Sequence, residues 1–460
     1  MTPTQVSASN EVEQLESILR RIETEPPDAV RARERSAFDD LASPLGERLV
    51  LFGAGPLGKG VLAGLRKAGV EPLAFADNRV GGERRREEER RRAAQRKEEE
   101  RRRAERREKG DRRRKEEGCL GANVGRVEDF APAVSNQDPS HPQVMGLPVL
   151  SATEAVELYG KTACFVVTIY QGSAVRRQLT SLGCQRVVAC APLLWKYADI
   201  FIPQCGLELP HRFREQCASI RQCNAMLEDE LSKRDLREQL LWRYWLDFSA
   251  LSPALDASDT YFPMDLLSPV PDEVFVDCGS FDGDSIRSFN HHWGGEFRHA
   301  FAFEPDPVNR GALASNVKAM GIGDRVTVMP YAVGNTNGRV SFAFDSSASS
   351  QVTTENAKSD AGSAIECRRL DDIEWPLMPT YIKMDIESAE PEALAGASEL
   401  LRRHQPVLAV CTYHRSEHLW QIPNLIRSIS PEYHVFLRRY AEECWEGVCY
   451  AIPKRRLKRA

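Results

Sequence analysis

The chain has no run of 18 apolar residues, so no segment is expected to cross a membrane as a helix. Its opening, MTPTQVSASNEVEQLESILRRIE, lacks the apolar core of a secretion signal and soon reads as a polar helix. No two of the 12 cysteines are spaced as CxxC, and Cys184/Cys190 and Cys444/Cys449 are too loosely spaced to suggest zinc. Reduced, mostly buried thiols are expected. These absences predict a soluble, cytoplasmic protein with no membrane partner. At 460 residues the chain has room for two or three domains.

Charge is unevenly spread. From Glu83 to Glu117 there are 18 Lys or Arg and 12 Asp or Glu, a run carrying +6 within a chain of net charge −5. The remaining residues carry −11, a poor surface for nucleic acid, and no nucleic-acid partner is expected. Blocks such as Glu87–Arg92 set Glu four residues before Arg, which favours an isolated solvent-exposed helix. The alternative is a basic nucleic-acid arm, but the interleaved acids cancel most of its field. Residues 80–143 read as an insertion into a surface loop.

Residues 1–47 read as a helical segment, with Val12, Leu15, Ile18, Leu19 and Ile22 at helical spacing. Then Arg48–Phe52, the turn Gly53-Ala-Gly55-Pro-Leu-Gly58, a helix from Lys59 to Ala68, and Pro72–Ala76 ending at Asp77 form a βαβ unit. Gly53, Gly55 and Gly58 fit a dinucleotide fingerprint, and Asp77 stands near the spacing of a ribose-binding acid. NAD(P) or another nucleotide is one reading of residues 48–199. A ligand-free structural or acceptor-presenting domain is the other. Residues 200–261 read as a helical linker, whose Leu240–Leu246 aromatics are expected to pack rather than bind.

From Glu273 strands and helices alternate again, predicting a second doubly wound α/β sheet with ligand sites at the strands' C-terminal ends. Val274-Phe-Val-Asp277-Cys-Gly279-Ser-Phe-Asp-Gly283-Asp-Ser285 ends a buried strand in an acid and a glycine turn. Such an acid can hold the ammonium of S-adenosylmethionine, and the glycines admit close backbone approach. Glu304, ending the next strand, can accept ribose hydroxyls. In Tyr381-Ile-Lys383-Met-Asp385-Ile-Glu387-Ser-Ala-Glu390, alternation puts Lys383, Asp385 and Glu387 on one side. These residues could ligate a divalent ion, bind a substrate hydroxyl or act as a base, or form only a surface charge network. His414, at the end of a later strand, could take a hydroxyl proton. The catalytic candidates are thus His414, Asp385 and Glu387, and no metal site is assigned.

Together VDCGSFDG, FEPDP, AVGNTNGRVSF, LDDI (Leu370 to Ile373) and IKMDIESAE resemble the FkbM-type methyltransferases, over roughly 190 residues. The resemblance implies an S-adenosylmethionine-dependent methyltransferase domain, residues 262–455, acting mostly on hydroxyls of sugars and secondary metabolites. It implies that Asp277, Gly279, Gly283 and Glu304 hold the donor, with Ala332 and Val333 near the adenine. Ser388 stands where the family's stretch has glycine. YFPMDL (Tyr261 to Leu266) and YHRSEHLWQIP (Tyr413 to Pro423) resemble a subgroup with an extra N-terminal nucleotide-binding-like domain. The expected function is O-methylation of a small-molecule acceptor. The competing readings are a nucleotide-binding or interaction protein that has lost turnover, and an NAD-dependent oxidoreductase, for which no hydride-transfer site is visible.

Overall fold

The computed structural model describes residues 3–46, 48–80, 141–203, 206–343, 351–353, 364–443 and 446–458. The charged run 83–117 therefore lies outside the described residues. The chain divides into two compact units, one of residues 39–190 and one of residues 1–38 with 191–460.

The smaller unit holds a six-stranded sheet. Its strands are β1 (Leu49–Phe52), β2 (Ala74–Ala76), β3 (Gln143–Val144), β4 (Leu147–Leu150), β5 (Cys164–Val167) and β6 (Arg186–Ala189), in the order β3-β4-β2-β1-β5-β6. All neighbours pair in parallel except β3 with β4. β1, β2 and β5 are buried along their whole length, which is why they read as unbroken apolar runs. The helix Ala152–Tyr159 begins where expected, because Ser151 and Glu154 close a capping box.

The larger unit carries a seven-stranded sheet of β7 (Val274–Cys278), β8 (His299–Phe303), β9 (Val326–Met329), then, after the small strands below, β14 (Tyr381–Met384), β15 (Val407–Cys411), β16 (Tyr433–Arg439) and β17 (Gly447–Pro453). Its order is β16-β17-β15-β14-β7-β8-β9, with β17 alone antiparallel to its neighbours. Between β9 and β14 the chain builds a small four-stranded sheet of β10 (Ala332–Val333), β11 (Gly338–Ala343), β12 (Gln351–Thr353) and β13 (Ala364–Arg368), in the order β10-β13-β11-β12.

Period-two alternation gives the large sheet two apolar faces. Val274 and Val276 face one core, which includes Leu15, Leu19 and Ile22 of the helix Pro3–Thr24, Ile220 of Cys217–Met226 and Leu240 of Glu230–Trp245. The N-terminal helical segment and the helices of 217–245 therefore cover this sheet. Phe275 faces the other core, where it stacks on Phe289 at 4.4 Å between centroids, with Phe262, Trp293 and Tyr381 around them. Such a sheet, covered on both faces, opens only at the C-terminal ends of its parallel strands. Replacing Phe289 by alanine empties the centre of this aromatic cluster. A loss of about 3–5 kcal/mol in unfolding free energy is expected in urea titrations.

Candidate active site

The carboxyl ends of β7, β8 and β14 surround a cleft lined among others by Tyr261, Gly279, Phe281, Asp284, Glu304 and Asn309. Tyr331, Ala332, Val333, Lys383, Asp385 and Glu387 complete much of the wall. The register explains the convergence: β7 lies between β8 and β14, with Asp277 paired to Ala302 on one side and Lys383 on the other.

Lys383 on the wall and Asp277 behind it form an ion pair of 3.0 Å, with side chains 2% and 0% exposed. Ser285 Oγ donates to the other oxygen of Asp277, and Lys383 Nζ donates to Gly279 O at 2.7 Å. Burial alone favours a neutral lysine, but the charges of Asp277 and Asp385 outweigh it and hold Lys383 protonated. Asp277 is therefore committed to its own chain and is not among the cleft-lining residues. It acts on the cleft by fixing the turn after β7.

That turn needs glycine twice. Gly279 has φ +82, and a Cβ there would sit 1.9 Å from Asp385 O. Gly283, at φ +90, lies behind the wall against Leu313, which a Cβ would meet at 2.9 Å. Only Gly279 of the two faces the cleft.

Glu304 stands on the wall and accepts from Phe281 N and Asp306 N, both at 2.8 Å. Burial pushes its carboxyl up to about 7, against these two hydrogen bonds. Phe281, Asp284 and Asn309 flank it, and none of the three stood out in the sequence. Asp284 alone left a signal there, as a second acid inside the glycine turn; burial raises its carboxyl too.

On the opposite side, Asp385 accepts from Tyr261 Oη at 2.7 Å and Tyr413 Oη at 3.2 Å. Its other neighbour is His414, whose Nε2 lies 3.2 Å from Asp385 and 3.7 Å from Glu387, while Nδ1 meets Glu390 at 2.8 Å. Burial opposes charge on His414, but Glu390 and Asp385 hold its affinity for a proton well above the ordinary histidine range. Burial likewise opposes charge on Asp385, yet the His414 hydrogen bond and Lys383 keep it ionised. β14 ends at Met384, so strand alternation stops short of Asp385 and Glu387, and turns carry them into the cleft instead.

In the smaller unit, the expected turn forms. Gly53, at φ +112, packs on Thr168, and a Cβ on Gly58 would lie 1.9 Å from Gly53 O. Gly55 faces open space. Asp77, however, accepts from Ala54 N at 3.1 Å and is paired to Arg79 at 2.7 Å, so the expected ribose acid is already engaged.

The geometry agrees with the comparisons. The match to a methyltransferase FkbM domain concerns residues 277–444, which fit the family model of that description. The crystal structure of methyltransferase FkbM from Methylobacillus flagellatus KT is similar in fold over 96% of this chain and 99% of that one, with a TM-score of 0.63 at 20% identity. Two shorter overlaps are slight. A putative rRNA-methylase from Clostridium thermocellum covers 44% of this chain and 98% of its own, at 12% identity and a TM-score of 0.30. A putative methyltransferase from Streptococcus mutans, in complex with SAH, covers 42% of this chain and 94% of its own, at 10% identity and 0.26. No curated protein matches the chain.

Ser388, which stands where the resembling stretch has glycine, sits in a strained turn. Glu387 has φ +54 and Ser388 φ +84, the left-handed region that glycine enters freely and serine does not. Ser388→Gly is expected to raise unfolding free energy by roughly 1 kcal/mol, the relief of strain being partly offset by a more flexible unfolded chain. Lys383→Met leaves the buried Asp277 without its cation, and a loss of about 3–5 kcal/mol is expected in the same denaturant titration.

Proposed function

We propose that the protein is an S-adenosylmethionine-dependent O-methyltransferase acting on a hydroxyl of a sugar or other small metabolite. The observation that carries this reading is Glu304, a buried carboxylate on the cleft wall one strand away from the Gly279 turn. In it, Glu304 accepts the ribose hydroxyls, Ala332 and Val333 lie against the adenine, and Gly279 admits the methionyl backbone. Asp284, rather than Asp277, faces the ammonium from the cleft wall.

The sulfonium already activates the methyl group, so the protein's work is alignment of an acceptor oxygen behind the methyl carbon. Positioning of this kind supplies on the order of 7–11 kcal/mol in favourable cases. Asp385 and Glu387 face the acceptor. His414 lies with both ring nitrogens against carboxylates, so its part is to position Asp385 rather than to abstract the proton itself. The glycine turn of the smaller unit takes no part in this step. A nucleotide there is a separate matter, with Gly55 open to it and Asp77 held by Arg79.

Calorimetry with S-adenosylhomocysteine tests the reading. Binding is expected, and Glu304→Gln should weaken it about 10- to 100-fold, since hydrogen bonds to a charged acceptor contribute roughly 1.5–3 kcal/mol. The ribose hydroxyls donate more strongly to the ionised carboxylate, which the free protein reaches as pH rises through about 7. Ligand binding therefore releases a proton below that pH, and affinity should climb as pH rises through it, then level off. Glu304→Gln should bind with no such slope. An absence of heat at every pH contradicts the proposal.

A further inference from the structure

We propose that Glu446 is the general base of the reaction, the carboxylate that takes the proton from the acceptor hydroxyl as the methyl group is transferred. This role rests on the methyl-transfer reading and adds to it a residue that no sequence signal singled out.

The groups already placed toward the acceptor are poor bases. Three donors sit on the two oxygens of Asp385: Tyr261 Oη at 2.7 Å, Tyr413 Oη at 3.2 Å and His414 Nε2 at 3.2 Å. Despite burial, the His414 ring and Lys383 hold the carboxyl of Asp385 far below the usual carboxylate range. His414 is itself an imidazolium set against carboxylates at both nitrogens, with no lone pair to offer. Glu387 stands 3.7 Å from the same cationic ring. Asp385 therefore anchors and orients, and the proton needs another destination.

Glu446 is differently placed. It immediately precedes β17, next to Gly447, whose carbonyl oxygen accepts from Thr412 N at 2.8 Å. Cys411 pairs with Val448, so the start of β17 lies against the carboxyl end of β15, at the cleft end of the sheet. Tyr440 N donates to Glu446 O at 3.1 Å and holds its backbone in place. The side chain is part-buried, and among the described residues no hydrogen bond or ion pair occupies its carboxylate.

The charges around Glu446 belong to the cleft. Asp385 of the loop after β14 and Asp284 of the turn after β7 act on it, as do Lys383 and His414, and Tyr261 and Cys411 feel its charge in turn. Tyr261, Asp284, Lys383 and Asp385 line the cleft, while Glu446 stands beside that lining. Such a position suits a group that meets an acceptor entering past Asp385, not one that holds the donor. Burial pushes its carboxyl up to about 7, with Asp385 and Asp284 adding and His414 and Lys383 opposing. A carboxylate raised toward neutrality binds a proton far more readily than a free one, as a base working near pH 7 must.

In the step, the acceptor oxygen bonds to the methyl carbon while the carbon–sulfur bond breaks and its electron pair passes to sulfur. The hydroxyl proton moves to Glu446. One positive and one negative charge vanish together, leaving a neutral thioether and a neutral acid, and solvent then takes the proton from the part-exposed side chain.

Two measurements on the full chain test this role. The first needs no acceptor. With S-adenosylhomocysteine bound, its ribose and ammonium hold Glu304 and Asp284 ionised. Infrared difference spectra should then show a protonated-carboxyl stretch lost as pH rises through about 7, and Glu446→Gln should lack it. The second follows labelled methyl from saturating S-adenosylmethionine into a metabolite extract. Wild-type turnover should rise with pH near 7 and level off. In Glu446→Gln it should fall about 100- to 10,000-fold and lose that rise, with S-adenosylhomocysteine affinity unchanged, while Glu446→Asp should keep the rise. The carboxyl stretch persisting in Glu446→Gln, or label transferred with the same rate and slope by both proteins, overturns the base and leaves the methyl-transfer reading standing. Absence of S-adenosylhomocysteine binding sinks that reading and the base with it.

Discussion

The buried pair of Asp277 and Lys383 is the contact on which the cleft depends. Neighbouring parallel strands end side by side, and each brings one charge to the same depth. Two lone charges so placed would each cost several kcal/mol to desolvate, so the strands tolerate them only together. Because Lys383 also donates to Gly279 O, the pair fixes the turn as well as the strands. Gly279 then packs against the backbone of Asp385, and the donor-facing turn and the acid-bearing loop become one structure.

From that contact the electrostatics of the cleft follow. With Lys383 spent on Asp277, the acids of the following loop have the rings of His414 and His418 close at hand. Glu390 and Asp385 grip the ring of His414 from opposite sides, and this grip orients Asp385 toward the cleft. A cationic methyl donor suits the surplus of negative charge. A phosphate-bearing dinucleotide would meet it unfavourably.

Much of this was legible in the chain because the signals were local. β1, β7, β8 and β14 announced themselves as apolar runs ending in a glycine turn or an acid, and VDCGSFDG with FEPDP marked the two strand ends that open into the cleft. What escaped notice depended on partners distant in sequence. Asp277 looked like a ligand residue, since nothing local tells that Lys383, 106 residues on, would take its charge. Tyr261 and Asn309 reach the wall through tertiary packing. The small sheet of β10 to β13 and the antiparallel pair β16 and β17 lacked the strand–helix alternation that revealed the others. His414 stood out as an isolated strand-end histidine. Its character comes from Glu390 and Asp385, which the fold brings to its two nitrogens.

The central claim is that the cleft beyond β7, β8 and β14 holds the methyl donor. A crystal structure of the full chain with S-adenosylhomocysteine tests it most directly. The account predicts the ribose hydroxyls on Glu304, the adenine against Ala332 and Val333, and the sulfur turned toward Asp385. A ligand seated instead at the Gly53–Gly58 turn, or lying in the cleft with its ribose away from Glu304, would contradict it.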